Sequence, residues 1–181
     1  MIERIWSGWR SSYVSSTPVR SGSDPGDPGN AGESGSVFTR LLHSGASDAD
    51  THIVHRDTTC FVVVNLLPYT TGHLLVVTYR EVADLDALTG EETTDLWATV
   101  TEAVRVVRSV YAPDGLNVGL NLGRPAGGSV PDHLHVHVVP RWTGDSNFMT
   151  AISNTQTLPE ALVDTARKLR AGWAVATAER Q

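Results

Sequence analysis

The sequence predicts a single α+β domain: an antiparallel sheet carrying two main helices. Three observations predict it. Apolar runs of strand length fill residues 53–79 and 116–140. Two stretches repeat at helical spacing, one opening at Thr89 and one at Thr157. The resulting order β-β-β, α, β-β, α argues for an antiparallel sheet with helices packed on it. A length of 181 residues suits one domain with a sizeable core.

Each element has its own local reason. Residues 1–14 carry Trp6, Trp9 and Tyr13 and are expected to dock on the body or on a partner subunit, most simply as core staples. Residues 15–36 are chiefly Ser, Gly, Pro and Asp. They hold too little apolar surface to offset ordering entropy, so they read as a flexible linker or loop. The main domain is then 37–181. Ile53 to Arg56 is a short strand. Cys60 to Leu67 is continuously apolar and reads as a central strand. His73 to Tyr79 follows after a Pro68…Gly72 turn.

The period then changes. Thr89-Gly-Glu-Glu92 is a capping-box sequence, and Leu96, Val100, Val104 and Val107 fall on one helical face. Tyr111-Ala-Pro113-Asp-Gly115 closes that helix. Leu116 to Leu122 alternates like a strand, with Asn117, Gly119 and Asn121 on one face. Thr157-Leu-Pro159-Glu160 opens the last helix, whose stripe is Leu162, Ala166, Leu169 and Trp173.

The chemistry is concentrated in His133-Leu134-His135-Val136-His137-Val138-Val139-Pro140. On a strand, residues at i, i+2 and i+4 share a face. His133, His135 and His137 are therefore expected together, with Leu134, Val136 and Val138 in the core behind them. Three half-buried imidazoles are costly to desolvate without partners, which marks a chemical site. One zinc ion does not suit all three, because the outer Cα atoms lie ~13 Å apart on an extended strand. A two-histidine site would need further ligands, and no Cys pair, His-Glu-x-x-His helix or carboxylate cluster stands nearby. No metal is expected. Nucleophilic catalysis fits better: a backbone carbonyl or a neighbour can take the Nδ1 proton of the middle histidine and leave its Nε2 lone pair exposed.

The segment before the histidines agrees. It runs from Asn121 through Gly127, Gly128 and Ser129 to His133. Glycines let the backbone approach a ligand, their N–H groups can face phosphate oxygens, and Ser129 adds a hydroxyl. Alone this would be an ordinary turn between two strands. Placed four residues before His133, it reads as a phosphate cradle.

The run His-Leu-His-Val-His-Val-Val resembles the signature of the histidine triad (HIT) superfamily of nucleotide hydrolases and transferases. Asn65-Leu-Leu-Pro68-Tyr-Thr-Thr-Gly72-His73-Leu-Leu-Val is similar to that family's Asn-x-x-Pro-x-x-x-Gly-His-x-Leu-Val segment. Ile5-Trp6-Ser-Gly-Trp9-Arg10-Ser-Ser-Tyr13 and Val139-Pro140-Arg141-Trp142 resemble a bacterial branch often labelled diadenosine tetraphosphate phosphorylase. The resemblance implies a HIT-like fold whose sheet often continues across a dimer. It implies that His135 attacks the α-phosphorus of a nucleoside polyphosphate to give a nucleotidyl-histidine. His133 and His137 would flank it and orient or hydrogen-bond the transferring phosphate and the bridging oxygen. Asn121, Gly127, Gly128 and Ser129 would hold phosphate oxygens. Asn65 and His73 would contact the nucleoside or brace the site. His73 could equally be a plain hydrogen-bonded core histidine.

Two acceptors can resolve the intermediate. Inorganic phosphate gives phosphorolysis of diadenosine tetraphosphate to ADP and ATP. Water gives a hydrolase of dinucleoside polyphosphates or phosphoramidates. Many hydrolytic members carry Gln where this chain has Gly128, so the smaller residue leaves room for phosphate; the opening motif favours phosphate too. A nucleotide-binding module without turnover is the different-class alternative. Magnesium could accompany the substrate phosphates, and no cofactor is expected on the protein.

The remaining composition sets bounds. A net charge of −6 argues against a general nucleic-acid binder. Local positive charge near the phosphates would have to come from residues such as Arg124 and Arg141. Cys60 is the only cysteine, so no intrachain disulfide can form, which fits a reducing cytoplasm. The first residues lack a signal-peptide pattern, and no apolar run reaches membrane-spanning length. The family resemblance also implies a homodimer or higher homo-oligomer.

Overall fold

The computed structural model describes residues 35–145 and 160–178. The aromatic segment, most of the linker and the Thr157–Pro159 helix start lie outside the described residues. Ser36, the last linker residue, lies inside and caps the first helix.

The described elements are α1 (Val37–His43), β1 (Ile53–Arg56), β2 (Cys60–Val64), β3 (Leu74–Thr78), α2 (Gly90–Tyr111), β4 (Gly115–Gly119), β5 (His135–Arg141) and α3 (Leu162–Ala178). Five strands form one sheet in the order β1-β2-β3-β5-β4, and every neighbouring pair is antiparallel. The expected α+β sheet with two long helices is present, with the short α1 added. The Cys60 strand β2 is an interior strand, as expected, and β3 is the middle strand of the five.

Period-2 alternation splits the sheet into two faces. Val62, Val64, Leu74, Val76, Leu134, Val136 and Val138 pack with Leu96, Val100 and Val107 of α2 and Ala166, Leu169 and Trp173 of α3. Burying one such Val or Leu side chain stabilises the fold by about 1.5–3 kcal/mol. On the opposite face Ile53, Phe61, Val63, Leu75 and Val77 pack with Phe38 of α1. The register sets His135 across from Val77 and His137 across from Leu75. Directly opposed residues share a face, so these histidines stand on the α1 side.

Local chemistry sets the element ends. Thr89 and Glu92 form both bonds of the expected capping box. The helix stops at Ala112 in the left-handed region, just before Pro113. β2 ends at Val64, short of the expected Leu67, because Asn65 Oδ1 accepts from the Leu67 N–H and bends the chain. β4 ends at Gly119, short of Leu122; a turn follows, with Gly123 at φ 76°. β5 begins at His135, so His133 precedes the strand. The Leu134 N–H is committed to the Val82 carbonyl, in the loop after β3, at 2.7 Å.

Candidate active site

The site is built at the start of β5, beside that loop. His135 sits on the first residue of β5 with 5% of its surface exposed. Its Nδ1 lies 2.8 Å from the main-chain oxygen of His133. A carbonyl oxygen can only accept, so Nδ1 carries the proton and Nε2 keeps its lone pair. This is the tautomer a nitrogen nucleophile needs.

His137 is fixed by a longer chain. The Tyr69 N–H donates to His73 Nδ1 at 3.1 Å, and the Asn65 amide nitrogen approaches the same atom at 3.3 Å. His73 Nδ1 is therefore an acceptor, which leaves the proton on Nε2. That Nε2–H points at His137 Nδ1, 2.9 Å away. His137 must then carry its own proton on Nε2. This Nε2 is buried and has no hydrogen-bond partner among the described residues. The rings of His135 and His137 are 5.1 Å apart. A nitrogen lone pair and a spare N–H donor thus stand on neighbouring rings.

His133 behaves differently. Its Nε2 donates to the Thr78 carbonyl at 2.7 Å, and its Nδ1 lies 2.6 Å from the Ser36 hydroxyl. Both ring nitrogens are engaged within the protein. Because it precedes the strand, its ring reaches back to the end of β3, where a ladder partner would otherwise bond Thr78. No ring nitrogen of His133 is left for the phosphate contact the sequence suggested. Phe38 walls this side, with its ring 5.4 Å from that of His133 and 5.2 Å from that of His135.

Burial keeps the cluster neutral. Desolvation, then the neighbouring histidines, push His73 down to about 3. Desolvation, then His135, pushes His137 down to about 4. Burial also lowers His135 and His133 below the ordinary histidine value.

The glycine loop folds back on the segment that follows β4. Gly128 is buried, and a Cβ placed on it would lie 3.3 Å from the Gly123 carbonyl oxygen and 3.6 Å from Asn121 Cβ. Gly128 and Asn121 are therefore neighbours. The β4 register ends with Gly119 across from His137, two residues before Asn121. The Gly127 N–H donates to the Arg124 carbonyl at 2.9 Å, so that amide serves the turn and not a ligand. Ser129 is exposed beside it. Arg141 is tied by Asp145 at 2.6 Å and by Asn117. Cys60 is a buried free thiol on the helix-covered face, away from the histidines, and desolvation pushes it up to about 12. Among the described residues, no cluster of three or more His, Cys, Asp or Glu side chains could hold a metal ion.

Sequence reasoning missed Ser36, Phe38, Tyr69 and Glu81. Tyr69 had a signal, since it lies inside the Asn65…His73 motif. Ser36 and Glu81 had none, because their partners are distant in the chain.

Sheet order, histidine run and glycine loop together define a histidine-triad domain, and the chain belongs to the HIT family, whose domain model matches residues 46–144. It is 43% identical over 173 residues to a Mycobacterium tuberculosis protein named AP-4-A phosphorylase, covering 96% of this chain and 85% of that one. It is 42% identical over 82 residues to an asymmetrical bis(5'-nucleosyl)-tetraphosphatase of Schizosaccharomyces pombe, covering 45% of this chain and 44% of that one. Among solved structures, a Zn-bound histidine triad family protein from Mycobacterium smegmatis superposes with a TM-score of 0.65 at 27% identity. That match covers 80% of this chain and 96% of the other.

Proposed function

We propose that this chain is a nucleotidyltransferase that phosphorolyses diadenosine tetraphosphate to ADP and ATP. The observation that carries the proposal is the pairing of a bare His135 Nε2 with the unpartnered His137 Nε2–H. In the first step His135 Nε2 attacks the α-phosphorus. An N–P bond forms, the P–O bond to the bridging oxygen breaks, and ATP leaves. His137 Nε2–H donates a hydrogen bond to that oxygen as its negative charge grows. The leaving group is a phosphate anion, so it needs a hydrogen bond and not a proton. In the second step an oxygen of inorganic phosphate attacks the adenylyl-histidine, the N–P bond breaks, and ADP forms. Asn121, Gly128 and Ser129 hold phosphate oxygens, and His73 with Asn65 fixes His137. Rate enhancement comes mainly from positioning and charge stabilisation.

Two findings support phosphate over water as acceptor. The relative matched over nearly the whole chain is named a phosphorylase. Hydrogen phosphate also arrives already negatively charged, whereas attacking water must lose a proton among histidines that bind protons poorly. The partial match to a tetraphosphatase supports the hydrolase as second reading. No resident cofactor is proposed, and magnesium accompanies the substrate phosphates.

The proposal extends to a cytoplasmic homo-oligomer. Among the described residues no helix is long and apolar enough to cross a membrane. β4 is an edge strand with exposed Val118, a suitable strand-pairing surface. Sedimentation of the full chain tests the oligomer. To test the intermediate, the enzyme is mixed with diadenosine tetraphosphate without phosphate, quenched, and mapped by mass spectrometry. An adenylyl group on His135 is expected. Release of ATP with no such adduct at His135, even at the earliest quench times, would overturn the mechanism.

A further inference from the structure

We propose that Ser36 is a positioning residue: through the His133 ring it holds the carbonyl that sets the tautomer of His135. The inference rests on His135 being the nucleophile.

The Thr78 carbonyl only accepts, so His133 Nε2 carries the proton and Nδ1 of the neutral ring must accept. The Ser36 hydroxyl supplies that proton at 2.6 Å. The ring, fully buried, is pinned at both nitrogens between the start of α1 and the end of β3. The carbonyl of this same residue then receives His135 Nδ1–H.

Ser36 is itself held in place. Its N–H donates to Glu81 Oε2 at 2.8 Å. The Thr39 hydroxyl donates to the same carboxylate oxygen. The Thr39 N–H donates to Ser36 Oγ at 3.1 Å. That last bond is the ordinary N-cap contact and uses only an oxygen lone pair. Capping leaves the O–H of Ser36 unspent, and the geometry spends it on His133. Glu81, α1 and His133 thus form one brace ending at the nucleophile's tautomer.

Ser36→Gly separates the two jobs. Glycine is a tolerable N-cap, but it has no hydroxyl. Ser36→Thr keeps both cap and hydroxyl. In the full chain, Ser36→Gly is expected to lower kcat by about 10- to 100-fold with KM changed by less than about twofold. Ser36→Thr is expected to keep most of the activity. In the free protein, the nitrogen NMR shifts of the His135 ring report a protonated Nδ1 in the wild type and a tautomer mixture in Ser36→Gly. Unchanged His135 shifts and kcat in Ser36→Gly would overturn the proposal. So would equal losses in Ser36→Gly and Ser36→Thr. If the wild-type protein turns over no dinucleoside polyphosphate, the functional reading fails, while the ring shifts still decide whether Ser36 sets the tautomer.

Discussion

His135 Nδ1 lies 2.8 Å from the main-chain oxygen of His133, two residues earlier in the chain. A histidine two residues away thus fixes the proposed nucleophile through its backbone, while its own ring is fixed from α1 and β3. The triad is therefore not three equivalent imidazoles. One is braced, one carries a bare nitrogen, and one offers a spare proton.

His135→Ala removes the only ring nitrogen in the cluster whose tautomer suits attack. Turnover should fall by more than about 10,000-fold, as when other covalent nucleophiles are removed. Binding of a non-hydrolysable dinucleotide should survive within a few fold, because the loop and the other histidines remain. Calorimetric titration of the variant checks this, and retained turnover would remove His135 from the mechanism.

His137→Phe deletes the spare donor. Its loss should lower kcat by about 100- to 1,000-fold, the usual effect of losing one preorganised donor at developing charge. His73→Phe frees His137 Nδ1 and lets its proton change sides, so it should cost a similar but smaller factor. The two act on one hydrogen bond, so the double variant should be little worse than His137→Phe. Additive losses in a double-mutant cycle would break the proposed chain from His73.

Acid should unfold the protein through these same groups. His73 and His137 titrate at about 3 and about 4 in the folded chain, against about 6.5 unfolded. Between those values the unfolded chain binds more protons. Stability should therefore fall as pH drops from about 6.5 to about 3, with little contribution above about 6.5. Thermal unfolding across this range checks the sign, and replacing both residues with Phe should flatten the slope. A midpoint that rises on acidification would contradict the assignment. Lowered His135 also places the acid limb of kcat/KM below about 6.5.

Gly128→Gln should shift product partition toward hydrolysis by filling space beside Asn121. The added Cβ presses on the Gly123 carbonyl at 3.3 Å, so a modest loss of stability is expected too. Product ratios at fixed phosphate concentration measure the shift. A variant with the wild-type ratio would remove Gly128 from acceptor choice.

Much of this was legible in the sequence because it is local. The capping box at Thr89, the helix stripes, and the alternation from His135 onward each follow from neighbouring residues. The His73 link was half legible, since the Asn65…His73 motif marks it but not its contact with His137, 64 residues away. Ser36 was illegible for two reasons. It closes a Ser/Gly/Pro segment whose composition reads as linker, and its partner lies 97 residues on. Where β5 begins was also hidden, because the Leu134 N–H is captured by a loop carbonyl that no periodicity reveals. Tautomers require carbonyl directions, which the sequence does not carry.

The most direct measurement is a product assay with diadenosine tetraphosphate, with and without inorganic phosphate, the nucleotides being separated at early times. ADP plus ATP, formed only when phosphate is present, are the predicted products. AMP plus ATP formed at the same rate without phosphate would make the protein a hydrolase, and no turnover in either case would contradict the proposed activity.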